Sequence, residues 1–294
     1  MAASLTSPAA MERDAAALAH PLPPLLVEAE RVAATVAQGV HGRRRVGTGE
    51  SFWQFRRYQF GDSRIDWRQS AKSDAVYIRE NEWDAAESVW LWCDRSASMA
   101  YQSAFGPVTK LDRARLLLMA LSSLLVRGGE RIASLDGHDP PASGRVAQRR
   151  FCYALMDPGG PHEGLPPARL LPRDAAVVFV SDFLDPLETL RPRVEHFAMR
   201  GIKGHLLQIL DPAEEDLPFQ GRTRFEGVED GLSLNVGKAE DLRDSYHRAL
   251  RAHRATLADL ARHYGWSFSL HHTDRPPQAA LLALYAALAG ERTR

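Results

Sequence analysis

From residue 88 onward, short apolar runs alternate with longer stretches whose apolar residues recur at helical spacing. Ser88–Cys93 (SVWLWC) and Ala175–Ser181 (AAVVFVS) are nearly continuous in apolar side chains, as strands covered on both faces are. Arg131–Leu135, Gly204–Leu210 and Trp266–Leu270 are shorter strand candidates. Between them, Leu111, Ala114, Leu117, Leu118, Leu121, Leu124 and Leu125 line one face of a helix over Leu111–Arg127, stopped by Gly128-Gly129. Further helices are predicted over Arg149–Met156, from Asp185-Pro186 to Met199, over Ala239–Tyr264 and over Pro277–Leu288, with a small hairpin at Thr223–Phe225 and Ser233–Val236. This alternation predicts an α/β three-layer sandwich with a mainly parallel sheet. Ala75–Glu82 alternates like a half-exposed edge strand, and the short WDAAE link pairs it antiparallel with Ser88–Cys93.

The first third of the chain reads differently. Residues 1–24 suggest a flexible leader ending in PLPP, and Leu25–Gln38 a short helix closed by Gly39. Residues 41–73 are rich in arginine, aromatics and glycine. The expected organisation is a leader (1–24), a helix with an arginine–aromatic segment packed on the core (25–73), and an α/β domain (74–290).

Composition narrows the function classes. Lys+Arg and Asp+Glu both total 37, so overall charge points to neither nucleic acid nor a membrane surface. Cys93 and Cys152 sit in apolar contexts that suit buried thiols, although spacing leaves a bridge between them open. The N-terminus lacks a sustained apolar core and no run approaches bilayer length, so a cytoplasmic protein is expected.

The candidate chemistry lies where the two longest apolar runs end. The first ends in Asp94, Ser96 and Ser98, an alternation that brings three oxygen side chains to one turn. The second ends in Asp182. If the two strands are parallel neighbours, all four residues meet at the carboxyl rim of the sheet, where open α/β sheets place their sites. Oxygen donors of this kind suit a small hard cation, Mg²⁺ first, with Mn²⁺ or Ca²⁺ as substitutes. Asp94 would anchor the ion, Ser96 and Ser98 would add neutral hydroxyls, and Asp182 would stand one water away. A turn whose side chains merely cap backbone N–H groups is the competing reading.

Asp94-x-Ser96-x-Ser98 after an apolar strand resembles the metal-ion-dependent adhesion site of von Willebrand factor A domains. The stretch GTGESFWQFRRYQFGDSRIDWRQSAK, running into VYIRENE, is similar to the signature of the bacterial family labelled domain of unknown function fifty-eight. The matching elements are Gly47-x-Gly49, Arg57-Tyr58, Gly61-Asp62, Arg64-Ile65-Asp66-Trp67 and Ser70-Ala71-Lys72. The resemblance implies a von Willebrand A-like fold and work beside a MoxR-type AAA+ ATPase in assembling or activating other proteins. The chain departs from the pattern twice. The loop from Gly61 to Asp66 is shorter, and the threonine that A domains place between the two acidic strands is missing, since residues 130–174 contain none. Ser143 is the weak substitute considered for it.

Residues 41–72 interleave arginines with Phe52, Trp53, Phe55, Tyr58, Phe60 and Trp67. Basic groups beside stackable rings suit nucleic acid. However, Asp62 and Asp66 can pair with the neighbouring arginines, and the rings can anchor the segment. A protein-docking surface on Arg57, Tyr58, Asp62, Arg64, Asp66 and Trp67 is the preferred functional reading, because Trp, Tyr and Arg dominate interface hot spots.

Enzyme patterns are poorly matched. There is no phosphate-cradling Gly-x-x-x-x-Gly-Lys loop and no Gly-x-Ser-x-Gly elbow, and Ser96 stands where a phosphotransfer pattern would carry a second Asp. The expectation is a non-enzymatic, metal-dependent interaction domain whose partner presents an acidic residue. The alternatives are a metal-dependent hydrolase using Asp94 and Asp182, and a metal-independent scaffold binding through residues 41–72.

Overall fold

The computed structural model describes residues 45–47, 51–57, 70–72, 76–83, 88–157, 164–173, 175–228 and 231–291. The leader and the helix expected over Leu25–Gln38 lie outside them.

Five strands form one parallel sheet: β4 (Ser88–Cys93), β5 (Arg131–Ser134), β6 (Ala175–Ser181), β7 (Lys203–Leu210) and β10 (Ser267–His272), in the order β10-β7-β6-β4-β5. Every residue of β4 and β6 is buried, which accounts for their unbroken apolar sequence. Alternate side chains feed two separate cores. Val89, Leu91 and Cys93 of β4, with Val178 and Val180 of β6, face α1 (Lys110–Arg127), α2 (Gly144–Met156) and α6 (Pro277–Glu291). Trp90 and Trp92, with Val177 and Phe179, face α3 (Leu187–Ala198) and α5 (Arg243–His263). The fold is therefore the expected three-layer α/β sandwich, with helices on both faces of a parallel sheet.

Aromatic packing fixes the second core. The Phe179 ring meets those of Trp92, Phe197 and Trp266 edge to face at centroid distances of 5.8, 5.7 and 5.5 Å. Gly204 is required there, because a Cβ at that position would overlap the Trp266 ring. Cys93 and Cys152 are buried in the opposite core, and burial pushes the Cys93 thiol up to about 12.

One pairing differs from expectation. Tyr77–Trp83 (β3) does not pair with Ser88–Cys93. It lies between β1 (Arg45–Gly47) and β2 (Ser51–Arg57) in an antiparallel three-stranded sheet. The reason is occupancy: β4 already has β5 and β6 as parallel neighbours on its two edges, so no hydrogen-bonding edge is left for a fourth strand. The antiparallel element at the β5 edge is a single bridge between Ile132 and Ala142. The three-stranded sheet belongs to one compact unit, which includes Glu30–Ala86, and the five-stranded sheet to another, which includes Glu87–Arg292.

Smaller differences concern helix ends. α2 starts at Gly144 rather than Arg149, and the long C-terminal helix opens as a 3-10 turn over Ala239–Leu242 before α5. The hairpin forms as expected from β8 (Thr223–Glu226) and β9 (Ser233–Val236), with Thr223 opposite Val236. A short helix, α4 (Pro212–Asp216), had no counterpart in the sequence reading.

Candidate functional site

Register decides where the acidic residues lie. Cys93 is opposite Val180, so Asp94 comes level with Ser181, and Asp182 is one residue further along the same rim. The Asp94 N–H extends the ladder by donating to the Val180 carbonyl at 2.8 Å. The chain then turns through a 3-10 segment, Ala97–Ala100, which fully buried Met99 pins into the core.

Within this turn, Asp94 Oδ1 accepts the Ser96 N–H at 2.8 Å, and Asp94 Oδ2 accepts the Ser181 hydroxyl at 2.6 Å. Ser96 Oγ and Ser98 Oγ lie 3.1 Å apart. The structure thus brings Asp94, Ser96 and Ser98 together. Arg95 points the other way, donating to the Ala154 and Asp157 carbonyls at the C-terminus of α2, where a cation is favoured, and to Asp136. Asp94 is 2% exposed, and among the described residues no cationic side chain forms an ion pair with it. Burial raises its carboxyl from 3.8 to about 6, against the lowering effect of the hydrogen bonds from Ser181 and Ser96.

Asp182 has a different environment. Lys110, the first residue of α1, reaches back to it, and its Nζ donates to Asp182 Oδ2 at 2.7 Å and to Glu214 Oε1 at 2.5 Å. Lys110 is completely buried. Burial alone would push its ammonium pKa down, but Asp182 and Glu214 outweigh that and hold it above the ordinary lysine value. Glu214 is carried by α4, whose N-terminus is a capping box: Asp211 accepts the Ala213 N–H at 2.9 Å, and Glu214 Oε2 accepts the Asp211 N–H at 2.8 Å. Asp211 also accepts the Ser103 N–H at 3.0 Å, tying the loop after the Asp94 turn to the end of β7.

The segment after Asp182 is strained. Phe183 has φ of 48°, a left-handed conformation that costs a residue with a Cβ about 1–3 kcal/mol. It is held by Ser181 Oγ, which accepts the Phe183 N–H at 2.9 Å, and by His253, whose Nε2 lies 2.6 Å from the Phe183 carbonyl.

The weak substitute for the missing threonine falls away. Ala142 is level with Ile132, and Ile132 with Val89, five residues before Asp94. At about 3.3 Å per strand residue, Ser143 stands a dozen ångström or more from the rim. Gly164, from the loop before β6, comes close instead: a Cβ there would be 3.9 Å from Asp94 Oδ1 and 3.6 Å from the Ser96 Cβ.

Of the docking residues, Arg57 is exposed at the end of β2, while Tyr58, Asp62, Arg64, Asp66 and Trp67 lie outside the described residues. Sequence reasoning missed Lys110, Ser181 and Glu214. Two signals were present: Asp211-Pro-Ala-Glu214 is a capping-box pattern, and a lysine in the first turn of a helix opposes the macrodipole unless an anion holds it.

The donor set can be compared with what a cation requires. Among the described residues no three His, Cys, Asp or Glu side chains converge, so any ion here depends on hydroxyls. Adjacent ligands of an octahedral Mg²⁺ at about 2.1 Å are about 3 Å apart, and the two serine hydroxyls match that edge. Asp94 spends one acceptor position on each oxygen and keeps others for a metal. The Asp94 turn therefore fits a small oxygen-seeking cation.

Comparison with known proteins gives the chain's kinship. Residues 54–256 match the model of the family described as "Protein of unknown function DUF58", and the chain belongs to that family. An uncharacterized protein of Mycobacterium tuberculosis is 29% identical over 268 residues, covering 84% of this chain and 83% of its own length. An uncharacterized Mycobacterium avium protein is 31% identical over 103 residues, 35% of this chain and 60% of its own. Among solved structures, the conserved hypothetical protein BatB from Bacteroides thetaiotaomicron aligns with a TM-score of 0.41 at 15% identity, over 70% of this chain and 98% of its own. An aerotolerance-related membrane protein from Bacteroides fragilis aligns with a TM-score of 0.40 at 16% identity, over 69% of this chain and 99% of its own.

Proposed function

We propose that this member of the DUF58 family is a non-enzymatic protein-interaction domain that holds a divalent cation at the Asp94–Ser96–Ser98 turn. The arrangement would correspond to the metal-ion-dependent adhesion site of a von Willebrand A-like domain. Mg²⁺ is the first candidate, with Mn²⁺ and Ca²⁺ as substitutes. The ion would link the turn to an acidic side chain on a partner protein. A MoxR-type AAA+ ATPase, acting in the assembly or activation of other proteins, is the partner class that the family resemblance suggests. A cytoplasmic location is part of the same reading. No helix among the described residues is long and apolar enough to cross a membrane.

The observation that carries the reading is the pairing of a buried carboxylate, with no ion-pair partner among the described residues, with two hydroxyls spaced like neighbouring ligands. A buried carboxylate without a counter-charge is costly, and a metal ion at this turn would supply that charge. When bound, the ion offers a vacant coordination position to a partner's carboxylate. The chain's own residues orient it: Ser181 fixes the Asp94 carboxylate, and Met99 anchors the loop that carries the hydroxyls.

A pull-down with and without chelator, using wild type and Asp94→Ala, tests the proposal. Partner capture should require Mg²⁺ and vanish in the variant while the fold remains. Capture that survives both chelator and Asp94→Ala would reject the metal and leave the arginine–aromatic segment as the binding surface. Turnover of a phosphoester or amide that depends on Mg²⁺ and Asp94 would instead make the protein a hydrolase.

A further inference from the structure

Lys110 is the most unusual side chain in the described part of the molecule. It is among the largest fully buried side chains of the described residues, it sits at the helix end that repels cations, and it joins acids from two different elements. Asp182 comes from the end of β6, and Glu214 from the helix after β7. The Tyr101 ring lies 5.8 Å from the ammonium, on the loop that leads from the Asp94 turn into α1.

We propose that Lys110 is a resident cation that withdraws Asp182 from metal binding, so that of the two strand-end acids Asp94 alone offers its charge to a divalent ion. The inference rests on the metal reading above and deepens it. Asp182 Oδ2 is engaged by the ammonium, whose positive charge repels a metal ion from that carboxylate in a way that the neutral donors on Asp94 do not, and Oδ1 accepts the Leu184 N–H at 3.3 Å. A divalent ion held by Asp94 and two neutral hydroxyls keeps an uncompensated positive charge. A partner's carboxylate supplies what Asp182 does not. Lys110 is thus a specificity-determining residue: it keeps the ion weakly held alone and makes tight holding conditional on an acidic partner.

Mn²⁺, titrated alone and followed by calorimetry or electron paramagnetic resonance, reads this directly without a partner or any activity. Two variants bear on it. Lys110→Met combined with Glu214→Gln frees Asp182 without leaving a second uncompensated acid, and should bind Mn²⁺ at least tenfold more tightly than wild type. Asp182→Asn in the otherwise native chain requires no removal of the buried lysine, and should change Mn²⁺ affinity less than threefold, whereas Asp94→Asn abolishes binding. Asp94-dependent binding that is no tighter in the double variant, or that falls tenfold or more in Asp182→Asn, would overturn the role of Lys110 and leave the metal reading standing. If neither wild type nor the double variant binds Mn²⁺, both fall. Should the double variant fail to fold, the Asp182→Asn comparison decides alone.

Discussion

The Ser181 hydroxyl donates to Asp94 Oδ2 at 2.6 Å while accepting the Phe183 N–H at 2.9 Å, so one side chain joins the ends of two neighbouring strands and steadies the strained residue beyond. Both bonds are buried and one is to a carboxylate. A hydrogen bond to a charged group contributes about 1.5–3 kcal/mol. Ser181→Ala should therefore lower stability by about 2 kcal/mol at neutral pH, measured by urea unfolding. It should also raise the Asp94 pKa further, visible as a shift in the carboxyl titration by NMR.

The Asp94 carboxyl sets a pH dependence of stability. With its value raised from 3.8 to about 6, the folded chain keeps a proton that the unfolded chain has already released between about pH 4 and 6. Its contribution to stability is fully present below the unfolded value and is lost as pH rises through about 6. The loss is on the order of 2–3 kcal/mol. Asp94→Asn should flatten this segment of the profile and be more stable than wild type at pH 8 without metal. Equal slopes between pH 4 and 6 in the two chains would contradict the burial argument.

Lys110→Met should be the most damaging single change at the rim, because it leaves the buried Asp182 and the partly buried Glu214 without their cation. Breaking a buried pair from one side costs about 3–5 kcal/mol. Adding Glu214→Gln should restore part of that loss. Urea midpoints of the two variants against wild type provide the measurement, and equal midpoints for the single and double variants would show that Glu214 carries no share of the pair.

Gly204→Ala tests the aromatic core. The added methyl would overlap the Trp266 ring, whose Nε1 donates to the Ile202 carbonyl at 3.0 Å and so resists displacement. Overpacking of this kind costs about 1–3 kcal/mol or more. Gly237→Ala, where a Cβ meets open space, is the matched control. Thermal unfolding should separate the two clearly.

The sheet was legible because β4 and β6 are buried on both faces, so nearly every position had to be apolar, and strand ends could be read where the first Asp appears. The same logic brought Asp94 and Asp182 to one rim. What failed was pairing. The WDAAE link between Ala75–Glu82 and Ser88–Cys93 is short enough for a hairpin, but linker length cannot reveal that both edges of β4 are taken by strands more than 35 residues away in sequence. Lys110 escaped for a related reason. Its partners lie 72 and 104 residues downstream, and nothing local except an unfavourable charge at a helix start announces them.

Because Lys110 answers to acids at a strand end and in a capping box, the three side chains should vary as one. Within the DUF58 family, sequences that exchange this lysine for an uncharged residue should have lost at least one of the two acids in step, and those keeping both acids should keep a base between them. A helix tip, a strand end and a capping box are thereby bound to change together.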